Sequence, residues 1–178
     1  QLEDIKFFKN GCIRSATLVC NPSVPKRSYA SLALKEVHIK YNSKNKLNNS
    51  IKTKNTEISL SKYGGNLKNI KFSTSSDKSL INTRKYSYRT AGQIFTMNKA
   101  NQKFNDLIKT KIISETKDLS IRKKILCNLE LPFGDLTKIF YVYEDLPRID
   151  VKYIFTFKDY SPSIFRINLM NLNLNNFD

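Results

Sequence analysis

The sequence predicts an all-β protein, an antiparallel β-sandwich, on three observations. The first is the segment 140–157, FYVYEDLPRIDVKYIFTF, where two runs of aromatic and β-branched residues are broken once, by Glu144-Asp145-Leu146-Pro147. Such side chains fit a pleated, half-buried surface, so the runs read as adjacent strands; Pro147, lacking a donor, belongs at a strand start or an edge. The second is a succession of short alternating segments at close spacing, divided by turn residues, which is the pattern of sandwiches and barrels. The third is that no segment keeps a long helical period. Only residues 103–113 are compatible with a helix, and their β-branched end argues against one.

Taken in order, residues 13–20 (IRSATLVC) form the first expected strand, ended by the proline-bearing run 21–27. Residues 32–41 (LALKEVHIKY) alternate at Leu34, Val37, Ile39 and Tyr41 and form the second. Residues 42–55 (NSKNKLNNSIKTKN) are polar with little to bury, the composition of a linker or loop. They include the glycosylation-type triplet Asn48-Asn49-Ser50, which has meaning only in a secreted protein. Residues 56–60, the turn Tyr63-Gly64-Gly65-Asn66 and residues 67–72 read as a hairpin. A polar, turn-rich stretch, 73–89, precedes a short strand over 90–97. Five further strands are expected at 104–115, 121–131, 138–143, 149–157 and 165–174. This divides the chain into a preceding or connecting β segment (1–41), a polar linker or loop (42–55) and a sandwich domain (56–178).

Composition narrows the function classes. The formal net charge is +16, from 31 Lys and Arg against 15 Asp and Glu, a surplus that attracts phosphates or an anionic surface. Heavy use of Lys, Asn and Ile beside sparse Gly, Pro and Arg is also the mark of an AT-rich genome. Lys far outnumbers Arg, although planar phosphate and base recognition favours Arg, and the cations are dispersed; genome bias is therefore the stronger explanation. No run is apolar for long enough to span a bilayer as a helix. Cys12, Cys20 and Cys127 lack metal-ligand spacing. Cys12 and Cys20 are placed to bridge a hairpin, but the odd count leaves one thiol unpaired, and apolar neighbours predict buried thiols for all three. The single histidine, His38, argues against a histidine triad or a zinc site.

Among polar candidates, Arg148 and Asp150 are the sharpest pair, because residues two apart on a strand share a face about 7 Å apart. They suit hydrogen bonding to sugar hydroxyls or bracing of a loop; the favoured role is structural, as ion pairs with Glu144 or Lys152. Glu144 and Asp145 point to opposite faces, which suits a turn better than the paired acid and base of glycoside hydrolysis. Tyr141 and Tyr143 share a face, as do Tyr86 and Tyr88, and Tyr153 adds a further ring. Arg84, Lys85 and Arg89 around Tyr86 and Tyr88 make the one basic-aromatic cluster, the first place to seek a bound polyanion or glycan.

Three places carry a family likeness. Val19-Cys20-Asn21-Pro22 with Lys26-Arg27-Ser28 resembles the strand and turn that open the β-portion of α-mannosidase-type glycoside hydrolases (family 38 and relatives) after their catalytic barrel. Residues 58–67 (ISLSKYGGNL) are similar to the first hairpin of their supersandwich, the fold shared with galactose mutarotases. Residues 139–151 resemble its "Y-x-x-L-P-R-I-D" element. The likeness implies a non-catalytic, supersandwich-like C-terminal portion, incomplete here because residues 175–178 stop before its later strands. That portion would buttress a catalytic domain and line part of a glycan cleft. It further implies that the rest of a parent polypeptide is the partner, and that any divalent metal belongs to the missing catalytic domain, with no cofactor in this chain. The alternatives are an independent basic sandwich that binds nucleic acid or another polyanion, and a structural or assembly protein contacting partners through sheet edges and exposed aromatics.

Overall fold

A computed structural model describes residues 2–20, 26, 29, 43–46, 48–73, 79–81, 91–117, 121–158 and 162–168. These residues form strands and connecting turns, with no helix among them. The strands are β1 (Leu2–Phe7), β2 (Ile13–Leu18), β3 (Ser43–Lys46), β4 (Ser50–Lys52), β5 (Thr56–Leu60), β6 (Leu67–Phe72), β7 (Gln93–Asn98), β8 (Lys103–Asn105), β9 (Ile112–Lys117), β10 (Arg122–Leu131), β11 (Gly134–Tyr143), β12 (Ile149–Phe157) and β13 (Pro162–Asn168). Every pairing is antiparallel. The strands make a five-stranded sheet in the order β12-β11-β10-β9-β3, the three-stranded sheets β13-β7-β8 and β4-β5-β6, and the β1-β2 hairpin.

The β10-β11 hairpin is the frame, because its register runs unbroken from Arg122↔Tyr143 to Leu131↔Gly134. Strand side chains alternate between faces, so this register sends Ile125, Cys127, Leu129 and Leu131 of β10 to the same side as Leu136, Lys138, Phe140 and Val142 of β11. That side is the core. It meets Ile51, Ile58, Leu60, Leu67 and Ile70 from the β4-β5-β6 sheet and Ile94 from β7 in one buried cluster, giving the packing of sheets face to face that a sandwich requires. Ile149, Tyr153 and Phe155 extend the same face into β12 and are partly buried against the cluster.

The antiparallel all-β expectation matches this architecture, and the 56–72 hairpin lies where it was expected, as β5 paired with β6. Several boundaries differ. Residues 42–55, expected as a linker or loop, include β3 and β4, whose backbones pair with β9 and β5. Polar composition did not prevent pairing, because backbone amides supply the ladder whatever the side chains are. The expected strand 104–115 is two strands, β8 and β9, parted around Asp106. Strand β1 had no sequence signal, its Asp4 sitting at a positive φ of 50°. Cys12 and Cys20 are exposed free thiols and only Cys127 is buried; the first two lie beside or beyond a hairpin open to solvent, so apolar neighbours in sequence did not bury them. The strand expected at 32–41, with His38, lies outside the described residues.

The turn between β5 and β6 lets the two sheets approach closely. Gly65 has a φ of +58°, and a Cβ placed there would lie 2.9 Å from Cys127 Cβ and closer still to its Sγ. Gly65→Ala is therefore expected to destabilise the protein by roughly 2–3 kcal/mol, from an unfavourable φ and overpacking together. Adding Cys127→Ala should cost less than the two single effects summed, read from urea unfolding midpoints.

Candidate functional site

Lys138 is the least expected residue of the core. The alternation of β11 that turns Leu136, Phe140 and Val142 inward turns Lys138 inward with them, and its side chain is fully buried. Burying an ammonium is tolerated only when its three donors are met. Here Nζ donates to Asn66 Oδ1 at 2.5 Å, to the Gly92 carbonyl at 2.9 Å and to Asp106 Oδ2, with which it forms an ion pair. Asn66 comes from the β5-β6 turn, Gly92 directly precedes β7, and Asp106 directly follows β8. One side chain of the large sheet thus holds both three-stranded sheets.

The surroundings are dry and close. Across the ladders Lys138 faces Cys127 on β10 and Tyr153 on β12. The Tyr153 ring centre is 5.7 Å from Nζ, and its hydroxyl donates to the Gly92 carbonyl at 3.4 Å. Gly64 backs the Asn66 side chain: a Cβ there would lie 2.7 Å from Asn66 Nδ2. Burial pulls the Lys138 ammonium below its ordinary pKa, an effect that the Asp106 charge and hydrogen bond oppose. Burial likewise raises the Cys127 thiol and pushes the Tyr153 phenol up to about 12. Asp106 and Asn66 are both fully buried, yet Asp106 Oδ1 and Asn66 Nδ2 have no hydrogen-bond partner among the described residues.

A second polar group occupies the opposite face of the same sheet. Arg148 donates from Nε to Asp150 Oδ1 at 2.8 Å and from Nη2 to Oδ2 at 3.2 Å. The Tyr143 hydroxyl donates to Asp150 Oδ2 at 2.8 Å and accepts from Arg122 Nη1 at 3.1 Å. Arg122 in turn grips Glu3 of β1, with Nη2 to Oε2 at 2.6 Å and Nε to Oε1 at 3.0 Å, and lies 3.9 Å from the Tyr141 ring centre. The hydrogen bond to Glu3 is the main influence holding Arg122 in its charged form. Burial would raise the Asp150 carboxyl, but hydrogen bonds from Arg148 and Tyr143 outweigh it and hold the carboxyl below its ordinary value.

The expected residues are thus partly reunited and partly reassigned. Arg148 and Asp150 share a face and bond each other, in place of the expected pairing with Glu144 or Lys152; Glu144 instead faces Lys123 at 3.1 Å. Tyr141 and Tyr143 share that face with Arg122, whose role sequence reasoning missed. Arg84, Lys85, Tyr86, Tyr88 and Arg89 lie outside the described residues. No three His, Cys, Asp or Glu side chains come together among the described residues, and no helix there is long and apolar enough to cross a membrane. Fold and site together define an all-β protein with a buried lysine-carboxylate-carboxamide cluster. No family model, curated protein or solved structure matches the chain.

Lys138→Met, which strands the Asp106 charge in the core, is expected to cost roughly 3–5 kcal/mol in urea unfolding. Lys138→Met with Asp106→Leu should be more stable than Lys138→Met alone, because both charges are then gone. Arg148→Ala, by contrast, is expected to leave the thermal midpoint within the scatter of repeat measurements, since an exposed ion pair is weak in water.

Proposed function

We propose that this chain is a non-catalytic β-sandwich module that braces a larger polypeptide. The observation that carries this reading is the Lys138 cluster, in which groups able to do acid-base chemistry are enclosed in the core and engaged in joining sheets. The outer network supports it: Arg148, Asp150, Tyr143, Arg122 and Glu3 are bonded to one another, and this ties the β1-β2 hairpin to the large sheet. The resemblance of residues 19–28, 58–67 and 139–151 to the α-mannosidase supersandwich supports a finer version, a buttress within a carbohydrate-active enzyme whose catalytic residues lie elsewhere. In that version the Arg148-Asp150 face is where a glycan would pass.

A specific observation favours a second reading, an assembly protein. Phe157 and Phe165 are 44% and 37% exposed and pack edge to face with each other, leaving an aromatic surface at the β12 and β13 edges.

Residues 1–178 alone are expected to release no product from aryl α-mannosides, and measurable hydrolysis would overturn the non-catalytic reading. The native species captured from source cells by an antibody to this segment should have a mass several-fold above that of the 178-residue chain. A species at the mass of the chain itself would instead favour a self-contained module, and concentration-dependent self-association would favour assembly.

A further inference from the structure

The bracing role needs only an ion pair at Lys138, but the cluster holds the parts of a reaction. A primary amine lies against the side-chain carbonyl of a carboxamide, with a carboxyl group on the same amine, all three side chains fully buried. We propose that Lys138 and Asn66 join covalently, as an intramolecular isopeptide bond between Lys138 Nζ and Asn66 Cγ, with Asp106 as the acid-base catalyst and ammonia as the leaving group.

The steps follow from the contacts. The Lys138 ammonium passes a proton to Asp106, which frees the nitrogen lone pair. The neutral amine adds to Asn66 Cγ, forming the C–N bond while the carbonyl electron pair moves to Oδ1. Asp106 delivers its proton to Nδ2 and takes one from the new nitrogen. Collapse of the tetrahedral intermediate breaks the Cγ–Nδ2 bond and expels ammonia, which takes the proton from Asp106 and leaves as ammonium. One ammonium and one primary amide thus become one secondary amide and one ammonium ion, with Asp106 restored as carboxylate. No oxidant or other reactant enters.

The site meets each requirement of this chemistry. An amine attacks only when neutral, and burial here favours its neutral form. The Asn66 carbonyl already accepts a hydrogen bond from Nζ, so nucleophile and electrophile are in van der Waals reach. Asn66 Nδ2 has no hydrogen-bond partner among the described residues, so no such bond holds the leaving group back. Asp106 contacts Nζ through Oδ2 and keeps Oδ1 without a partner among the described residues, leaving an oxygen for the second proton. Asn66 is the acceptor because Asp106 is occupied in carrying the protons, and protonation of Asn66 Nδ2 by Asp106 gives the otherwise unreactive amide a leaving group. Enclosure excludes the water that would otherwise compete for the intermediate.

The test is the covalent mass of the full chain, made with a methionine ahead of Gln1 so that the terminal glutamine cannot cyclise with the same loss. The wild type is expected to be lighter than its sequence by about 17 Da, the mass of ammonia. After trypsin digestion, cleavage behind Lys138 should be absent and tandem mass spectrometry should find one branched peptide joining Lys138 to Asn66. Asp106→Ala and Lys138→Arg should each show the full sequence mass, with circular dichroism recording whether each still folds. A wild type at full mass overturns the proposal, and so does a loss of about 18 Da mapped to Lys138 and Asp106, the mark of water expelled from a carboxyl. Both results are read on the wild type and need no variant to fold. Neither bears on hydrolysis or native size, so this proposal and the bracing role fail separately.

Discussion

The buried ammonium of Lys138 is the constraint on which the arrangement of sheets depends. Hydrophobic contact alone would let three sheets settle in several relative positions, because apolar burial is non-directional. A charged nitrogen in the core removes that freedom, since each of its hydrogens must find an oxygen at a defined place. Asn66, Gly92 and Asp106 provide those places, and each is fixed at a strand end whose position the ladder determines. The Ile and Leu side chains around them contribute most of the apolar burial; the lysine contributes the alignment.

The two faces of the β10-β11-β12 sheet divide the work. Among the described residues the inner face fully encloses one charge pair, Lys138 with Asp106, in an apolar surround, whereas the outer face carries a chain of them running from Glu3 through Arg122 and Tyr143 to Asp150 and Arg148. The Arg148 end of this chain is solvated and its ion pair weak, whereas Arg122 and Glu3 are largely enclosed; the chain crosses from β1 to β12 and spans elements far apart in sequence. Stacking of the Arg122 guanidinium on the Tyr141 ring adds packing to charge, a contact that suits arginine better than lysine.

Much of the fold was legible because β structure is written in periodicity. The runs around Phe140 and Tyr153 are rich enough in aromatic and β-branched residues to place β11 and β12, and the Gly64-Gly65 turn places β5 and β6. Strands β3 and β4 were not legible, since their Asn and Lys residues carry no apolar period and their pairing rests on the backbone. On the outer face, Arg148 and Asp150 could be found because they are near in sequence. The inner cluster could not: Lys138 resembles any surface lysine until its parity with Leu136 and Phe140 is taken literally, and nothing local ties it to Asn66 or Asp106.

That distance has a consequence for how the chain folds. The contacts from Lys138 close loops of 72, 46 and 32 residues, whereas the β10-β11 and β5-β6 hairpins close locally. Local pairings form before long loops are closed, so the hairpins would be in place while the lysine is still hydrated. A slip of one residue in β11 would put Lys138 outside and carry Ile139 inward, leaving Asp106 enclosed without its cation. Docking of the smaller sheets therefore proofreads the strand register, because only the correctly threaded hairpin presents a cation where they carry their oxygens.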